Sequence, residues 1–263
     1  MTPSETYPDQ TILLSVVIPV FNEEPRMLPA LERLRGWAET EIVVVVDPGT
    51  SDASAQRAAS VPGVRVITAC EPGRGSALRD GAHAARGPFL LFLHADSCLP
   101  ETAVRTAMTR LRGGTVAAAF EIRLDSPRRV FRLLELGINL RSRLFSLPYG
   151  DQGLLISKEA LERAGGFRPL PRCEDLDLVL RLRKLGRIAL VPGPCLTSTR
   201  RWDREGVLSV TISNLAALAR FVTTGKIPDG AMTHVSQSEA SGVDPDSNGV
   251  PVDRGVDRGV VRG

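Results

Sequence analysis

The first part of the chain repeats one pattern, in which a short apolar segment is followed by polar residues and then by a helical pattern. The four apolar segments are Leu14–Val20, Ile42–Val46, Val64–Thr68 and Pro88–Leu93. None of them shows the alternation of apolar and polar residues that marks a strand with one face in water. Uniformly apolar strands separated by helices are typical of a parallel sheet covered on both faces. The sequence therefore predicts an α/β fold with a four-strand parallel half.

The second half of the chain has a different order of elements. Strands are predicted at Val116–Asp125, Gly153–Ser157 and Arg187–Val191, and helices at Arg128–Leu147 and Glu174–Leu185. No Pro/Gly-rich linker separates the halves, so we expect one Rossmann-like domain in which the parallel sheet continues as a mixed sheet.

The composition at the two ends predicts the domain limits. From Ser236 onward the chain has no aromatic residue, Leu or Ile, which is typical of a disordered segment. We expect an N-terminal extension at 1–11, the domain at 12–228, and a disordered tail at 229–263.

The charge excludes one class of partner. The chain carries a formal net charge of +3, and five acids against three arginines after Ser236 give that segment −2, which leaves about +5 for the rest. Nucleic-acid binding needs a more concentrated basic face, and only two Tyr and two Trp offer stacking surfaces. We expect no nucleic-acid partner, whereas an anionic small molecule or a membrane surface suits this charge.

Cysteine usage and hydropathy bear on the compartment. The four cysteines lie far apart without a C-x-x-C pair, as in buried, reduced thiols of a cytosolic protein. The N-terminus lacks the pattern of a signal peptide, and no stretch reaches ~18 apolar residues. The sequence predicts a cytoplasmic protein, with peripheral contact to the inner face of the cell membrane as an open alternative.

Polar residues follow each strand of the parallel half. Glu23, Asp47, Arg74 and Asp96 each come after a separate predicted strand. Because parallel α/β sheets bind ligands beyond the carboxyl ends of their strands, these four side chains are expected to converge on one edge. Gly73-Arg74-Gly75 at a helix start suits an anion, but no glycine-rich dinucleotide fingerprint follows the first strand, which disfavours a nicotinamide dehydrogenase.

Three further groups of residues could bind a ligand or take part in catalysis, and each also has a purely structural interpretation. His94 and Asp96 suit Mg²⁺ or Mn²⁺, although Asp96 alone fits a helix cap. Asp175, beside Glu174 in the first turn of a helix, suits a general base, although acids there also offset the helix dipole. The turn at 149–152 could bind a polyol or be an ordinary turn.

A basic loop precedes the last predicted helix. Arg200 and Arg201 could clamp a diphosphate while Trp202 stacks on a sugar. A solvated basic loop is the alternative interpretation.

The order of these motifs resembles the family 2 glycosyltransferases, which have the GT-A nucleotide-sugar fold. The resemblance covers about residues 13–225 and rests on I-P-V-F-N-E-E at 18–24, V-V-V-D at 44–47 with S-D at 51–52, G-R-G-S-A-L-R-D-G-A at 73–82, L-F-L-H-A-D at 91–96, G-G-F at 165–167 and E-D-L-D-L-x-x-R-L at 174–182. Y-G-D-Q at 149–152 and T-S-T-R-R-W at 197–202 resemble a small bacterial subgroup with poorly defined acceptors.

The resemblance implies a role for each matching residue. The nucleoside is held by Pro19, Phe21, Glu23 and Asp47, with Asp47 on the base and Glu23 near the ribose, and the nucleotide pocket is lined by Arg74 and Asp80. Asp96 binds the metal that bridges the diphosphate, and Asp175 is the catalytic base. The donor sugar or the acceptor is faced by Tyr149, Asp151, Gln152 and Glu174, and the diphosphate or the acceptor by Arg200, Arg201 and Trp202.

Two positions depart from the family pattern. His94 stands where the family's D-x-D motif has its first acid, and it could bond a ribose or ligate a metal, which leaves Mg and Mn both open. The loop at 48–52 differs from the usual family sequence, which leaves base selectivity open.

The resemblance implies an inverting, metal-dependent glycosyltransferase of the hexosyltransferase class. It would move a sugar from a nucleotide-diphosphate sugar to an unidentified acceptor hydroxyl or carboxyl. A catalytically degenerate nucleotide-binding protein is one alternative, and a sugar-phosphate nucleotidyltransferase is another.

An arginine-rich helix bears on the acceptor. Arg128–Arg143 carries five arginines against one glutamate, interleaved with apolar residues. It could be an interfacial helix that delivers a lipid-borne or carotenoid-like acceptor, or an amphipathic core helix whose arginines reach water.

Overall fold

The computed structural model describes residues 12–170 and 173–224. Within these ranges the seven strands are β1 (Leu14–Val20), β2 (Thr40–Val46), β3 (Val64–Thr68), β4 (Phe89–Phe92), β5 (Ala117–Leu124), β6 (Leu154–Ser157) and β7 (Ile188–Thr197). The helices are α1 (Glu24–Leu34), α2 (Ser54–Ala59), α3 (Arg74–Ala84), α4 (Glu101–Arg112), α5 (Arg129–Phe145), α6 (Lys158–Arg163), α7 (Glu174–Leu185), α8 (Arg200–Glu205) and α9 (Val207–Thr224), with a 3₁₀ turn at Gly150–Gln152.

The strands form one mixed sheet in the order β3-β2-β1-β4-β6-β5-β7. Strands β1 to β4 pair in parallel, and β6 runs antiparallel to both β4 and β5. The last pair, β5 and β7, is parallel again. The predicted α/β fold, a parallel half continued by a mixed half, is confirmed.

Helices cover both faces of the sheet because side chains alternate along each strand. Val16 and Ile18 of β1 are buried in a core with α1, α2 and α4. Val17 of β1 and Val45 of β2 point to the opposite face and pack in a second core with α3, α6 and α7. Burial on both faces explains why these strands are apolar throughout.

A third, smaller core joins the far end of the sheet to the last helices. Phe131 of α5, Trp202 of α8 and Val210 of α9 pack there against Ile122 and Leu124 of β5. None of the helices in the described ranges is long and apolar enough to cross a membrane.

Several element bounds follow directly from the sequence pattern. Strands β1 and β3 and helix α7 have the predicted limits, whereas α3 begins at Arg74 rather than Ser76. All described residues belong to one compact unit. The limits of the domain remain predictions, since the extension at 1–11 and the tail at 229–263 lie outside the described residues.

Candidate active site

The loops that follow β1, β2 and β4 meet the starts of α3, α7 and α8 at one edge of the sheet. Arg200 of α8 donates to Glu23 after β1, with Nη2 2.8 Å from Oε1. Asp47 after β2 accepts from the backbone N–H of Gly73 at 2.6 Å, directly before Arg74. This is the edge at which the sequence predicts convergence.

A small cavity of about 20 Å³ lies at this edge. It is lined by Arg74, Leu78, Phe92, Leu93, His94, Gly150, Leu154, Phe167, Glu174 and Asp175. This volume suffices for about one water molecule. The polar side chains of His94 after β4, of Arg74 on α3 and of Glu174 and Asp175 on α7 therefore share a confined pocket.

Asp175 is held in this pocket by two backbone donors. Its Oδ2 accepts from the N–H of Gly150 at 2.7 Å, and its Oδ1 accepts from the N–H of Leu176 at 2.8 Å. A Cβ at position 150 would lie 3.0 Å from Asp175 Oδ2 and 3.1 Å from His94 Nε2. The absence of a side chain at Gly150 thus lets the loop approach the carboxylate.

Arg74 forms an ion pair with Glu174, its Nε donating to Oε1. The Glu174 side chain is 1% exposed, whereas that of Arg74 is 44% exposed. The buried carboxylate therefore fixes one end of a guanidinium that also faces solvent. Burial opposes the charge of Arg74, but the carboxylates of Glu174, Asp175 and Asp151 outweigh it and raise the pKa of the guanidinium.

His94 carries no charge at neutral pH. Burial and the neighbouring Arg74 lower the pKa of His94 to about 4, against the opposing effect of Asp96 and Asp175. A neutral imidazole has one nitrogen free to accept a hydrogen bond or to bind a metal.

Asp151 is buried near the same charged groups, and its pKa is raised, whereas that of His94 is lowered. Burial, and the negative charge of Asp175, raise the pKa of Asp151 to about 6, although Arg141 and Arg74 oppose the shift. Its Oδ1 is buried without a hydrogen-bond partner among the described residues. Next to it, the Arg141 guanidinium stacks 3.7 Å from the centre of the Tyr149 ring.

Glu23 and Asp96 form the acidic part of the site. Burial raises the pKa of Glu23, and the charge of Asp96 adds to this effect while Arg200 opposes it. Glu23 Oε2 is buried and makes no hydrogen bond within the described residues. The charges of these two carboxylates thus interact, and one oxygen of Glu23 is left without a hydrogen bond.

The residues of the chain identify its family. Residues 15–169, more than half of the chain, match the model described as glycosyl transferase family 2. The chain belongs to this family. No match was found among curated proteins.

Solved structures share the fold of this family 2 glycosyltransferase. S. aureus TarS in complex with UDP-GlcNAc has 18% sequence identity to this chain and a TM-score of 0.56. The match covers 71% of this chain but only 58% of the TarS chain. The mannosyltransferase PcManGT from Pyrobaculum calidifontis, in complex with GDP-Man and Mn²⁺, has 20% identity and a TM-score of 0.56, covering 86% of this chain and 69% of its own.

A third similar structure extends over most of both chains. Glucosyl-3-phosphoglycerate synthase from Mycobacterium tuberculosis, in complex with Mn²⁺, UDP and phosphoglyceric acid, has 21% identity and a TM-score of 0.58. The match covers 88% of this chain and 86% of that one. These similarities show the GT-A fold.

The side chains of Asp96 and His94 suit a divalent metal that takes its remaining ligands from water or substrate. Within the described ranges, no three His, Cys, Asp or Glu side chains lie close enough to hold a metal by themselves. Asp96, however, makes no hydrogen bond or ion pair with another described residue, and His94 offers a neutral nitrogen. One carboxylate and one imidazole suit Mn²⁺ or Mg²⁺ whose other positions are filled by water and phosphate oxygens.

Two acids that are expected in the nucleotide pocket accept hydrogen bonds from the backbone of the loops after β2 and β3. Asp47 accepts from the N–H of Gly49 at 2.8 Å as well as from Gly73, and so ties the β2 loop to the start of α3. Asp80 accepts from the N–H of Cys70 at 2.7 Å and from Arg79. Both contacts shape the loops after β2 and β3.

Two other expected site residues are buried in the protein interior. Gln152 is fully buried, donates to Phe120 O at 3.0 Å and accepts from Ser142 Oγ at 2.6 Å. Trp202 is 8% exposed and packs among the apolar side chains of the third core. Its stacking on a sugar stays a prediction.

The remaining expected residues lie at or near the edge. Pro19 is half-buried near the end of β1, and Phe21 lies beside Gly49, whose Cβ would be 3.4 Å from the Phe21 ring. Arg201 belongs to α8, but its side chain lies outside the described part of the structure.

Sequence reasoning missed two residues that shape the site. Gly150 supplies the N–H that holds Asp175, and Arg141 stacks on Tyr149 and donates to Leu147 O at 3.2 Å. The glycine inside Y-G-D-Q was a usable signal for a close backbone approach. Arg141 had none, because it looks like any other arginine of an amphipathic helix.

Proposed function

We propose that this protein is an inverting glycosyltransferase that moves a sugar from a nucleoside-diphosphate sugar to an acceptor hydroxyl or carboxyl. The observation that carries the proposal is the fixed carboxylate of Asp175. Both of its oxygens are oriented by backbone N–H groups, and it lies beside the guanidinium of Arg74 and the start of α3. A base next to a cation suits a reaction in which one group loses a proton and another leaves as an anion.

The proposed step is a single in-line displacement. An acceptor O–H gives its proton to Asp175 while its oxygen forms a bond to the anomeric carbon of the donor sugar. The bond from that carbon to the diphosphate oxygen breaks, and its electron pair leaves with the nucleoside diphosphate. One displacement inverts the configuration at the anomeric carbon.

Cations at the edge of the sheet suit the departing diphosphate. Arg74 stands in the first turn of α3, where free backbone N–H groups and the helix dipole favour anions. Arg200 lies on the other side, held at Glu23 and 39% exposed. Guanidinium groups bind phosphate oxygens through two parallel hydrogen bonds, and both of these reach solvent.

Asp96 and His94 would hold a divalent metal in this site. When bound, the metal would neutralise negative charge on the diphosphate. Glu23, whose charge interacts with that of Asp96, leaves an oxygen without a hydrogen bond. In this proposal Glu23 faces the ribose.

The solved relatives support the choice of donor class. TarS was solved with UDP-GlcNAc, PcManGT with GDP-Man and Mn²⁺, and the synthase with Mn²⁺ and UDP. They differ in nucleotide and sugar, so the donor of this chain has to be found by experiment.

The direct test is the Asp175→Asn variant. Release of nucleoside diphosphate is measured with UDP-, GDP- and TDP-sugars, with water or added alcohols as acceptor. We expect turnover to fall on the order of 10²–10⁴-fold, because general base catalysis contributes that much, while donor affinity measured by calorimetry stays within about threefold.

Glu162→Gln is the matched control, because Glu162 is an exposed acid on α6 outside the site. Its turnover should equal that of the wild type. Full activity in Asp175→Asn would remove Asp175 from the role of base. A product with retained anomeric configuration, read by proton NMR, would contradict the single displacement.

A further inference from the structure

The exposed large apolar side chains of the described residues all lie on two helices, α5 and α9. They are Val130, Leu133, Leu136, Leu140, Leu144 and Phe145 on α5, and Leu208, Ile212 and Leu215 on α9. Scattered single apolar residues are normal on a protein surface, but concentration on two elements marks an interaction site. We call the outward sides of these helices the α5–α9 face.

On α5 the exposed leucines form a single stripe. Leu133, Leu136, Leu140 and Leu144 follow each other at spacings of three and four residues, so they share one side of the helix. They are between 50% and 71% exposed. The opposite side is buried, with Phe131 in the third core.

On α9 the same division holds. Leu208, Ile212 and Leu215 are separated by four and three residues and are between 64% and 77% exposed. Val210, on another side of the helix, is buried in the third core together with Phe131 of α5. Both helices therefore bury one side in the third core and expose apolar side chains on another.

The charges around this face are mainly positive. The exposed charged side chains of α5 and of the residue before it are Arg128, Arg129 and Arg143, whereas Glu135, the acid of α5, is buried. Helix α9 contains no acid. Arg128 and Arg143 pair with Asp203 and Glu121 at the margins.

Arg129 is the least compensated of these charges. It is exposed and makes no ion pair with another described residue. Its guanidinium is thus available to an external anion.

We propose that the α5–α9 face docks on an anionic lipid bilayer. Leucines beside arginines on one helix face are the composition that inserts at a membrane interface, where the apolar side chains enter the acyl boundary and the cations meet anionic head groups. A second copy of the chain is disfavoured as occupant, because a two-fold interface buries the same patch from both copies, and the exposed charged side chains of α5 and of the residue before it are all arginines, with no exposed acid of these helices to pair with Arg129.

The position of the face gives it a use in the proposed reaction. The exposed stripe runs to Leu144 and Phe145 at the end of α5, a few residues before the Tyr149 loop that contacts Asp175. A membrane on this face would therefore lie close to the loop expected to meet the acceptor, and the acceptor would be a lipid-borne molecule. This last point rests on the proposed function, whereas the docking surface itself does not.

Vesicle flotation of the full chain tests the docking surface without any assay of activity. We expect the wild type to float with vesicles of phosphatidylcholine and phosphatidylglycerol in low salt, and to stay in the lower fraction with phosphatidylcholine alone. Leu133→Gln/Leu136→Gln/Leu140→Gln should lower the bound fraction at least tenfold. All three side chains are exposed, so this variant should keep the melting temperature of the wild type.

A pair of charge reversals supplies the matched comparison. Arg129→Glu should lower partitioning into anionic vesicles about fivefold or more. Arg110→Glu, at an exposed position of α4, should leave partitioning unchanged.

Three results would overturn the proposal. The first is no flotation with anionic vesicles, and the second is equal flotation of the wild type and the triple glutamine variant. The third is a concentration-dependent dimer, detected by light scattering, that the triple variant dissociates, because the face would then belong to a second copy. Failure of the transferase assay would leave these results unaffected.

Discussion

At the scale of single residues, two carboxyl groups of one pocket have opposite environments. Asp175 receives one backbone hydrogen bond on each of its two oxygens. Asp151 has one oxygen without a partner, and burial raises its pKa to about 6. The two carboxyl groups therefore differ in how completely backbone donors satisfy their oxygens.

The raised pKa of Asp151 predicts a pH-dependent stability change. A folded-state pKa of about 6, above the ordinary value of 3.8, means that the folded state binds the proton more tightly than the unfolded state. Stability is therefore lost as pH rises from about 4 through 6. Asp151→Asn removes this loss, so we expect it to be more stable than the wild type at pH 8, by up to about 3 kcal/mol, and equally stable near pH 4.

Thermal melts of both proteins at pH 4, 6 and 8 check this prediction. Asp80→Asn is the matched control, because the Cys70 N–H and Arg79 outweigh burial and lower the pKa of Asp80. It should be less stable than the wild type at pH 8. A wild type that gains stability over Asp151→Asn between pH 4 and 8 would contradict the environment described for Asp151.

The sequence predicts the site residues that follow strands, but not the contacts between residues that are distant along the chain. Acids at strand ends, such as Asp96, are visible because strand position and residue type are both local properties. The N–H of Gly150 reaches Asp175 across a separation of 25 residues, and such a contact exists only once the chain has folded. Likewise, the burial of Trp202 depends on how α8 packs on α5.

At the scale of elements, the start of α3 is positioned by a crossing loop. A Cβ on Gly75 would lie 2.7 Å from Arg168 O and 3.0 Å from Leu170 O, and both are backbone atoms that cannot move aside alone. Arg181 in turn holds this loop by donating to Gly166 O at 2.8 Å. The helix start that carries Arg74 is thus fixed by α7 through the loop.

Two glycine substitutions separate this packing from helix propensity. Gly75→Ala should destabilise the protein by about 1–3 kcal/mol, because the added methyl group meets backbone. Gly137→Ala, in α5, where no atom lies within 4 Å of an added Cβ, should stabilise it by up to about 1 kcal/mol. Urea unfolding measures the change in the free energy of unfolding for both variants. An unchanged free energy of unfolding in Gly75→Ala would contradict the close approach of the Arg168 carbonyl to position 75.

Strand β7 shows where local pattern fails at this scale. The apolar run stops at Val191 because Pro192, Gly193 and Pro194 follow, and the strand is predicted to end there. In the structure it continues to Thr197, paired with β5 beyond an irregularity at Phe120/Ile122. Prolines are tolerated because β7 is an edge strand, and among the described residues its outer side pairs with the backbone only at Leu196, which bridges to Cys98.

At the scale of the whole molecule, the segment that matches the family ends before several residues of the proposed reaction begin. The match ends at residue 169, after strands β1 to β6. Asp175, Arg200 and the exposed side of α9 all lie beyond it. The segment that matches the family holds most of the residues expected to bind the donor, and the remaining segment contains the proposed base, Arg200 and part of the proposed membrane face.

The central claim is that the edge of the sheet binds a nucleotide sugar together with a metal at Asp96. The measurement that tests it most directly is a thermal-shift panel of UDP-, GDP- and TDP-sugars, each with and without Mn²⁺ or Mg²⁺. It is performed on the wild type, Asp96→Ala and, as a control, Asp125→Ala at an exposed position after β5.

A donor at 100 times its dissociation constant contributes ~2.7 kcal/mol, which raises the melting temperature by roughly 5–10 °C. We expect such a shift for one donor, only with metal, in the wild type and in Asp125→Ala but not in Asp96→Ala. The absence of a shift for every nucleotide under every metal condition would contradict the donor site and the reaction built on it.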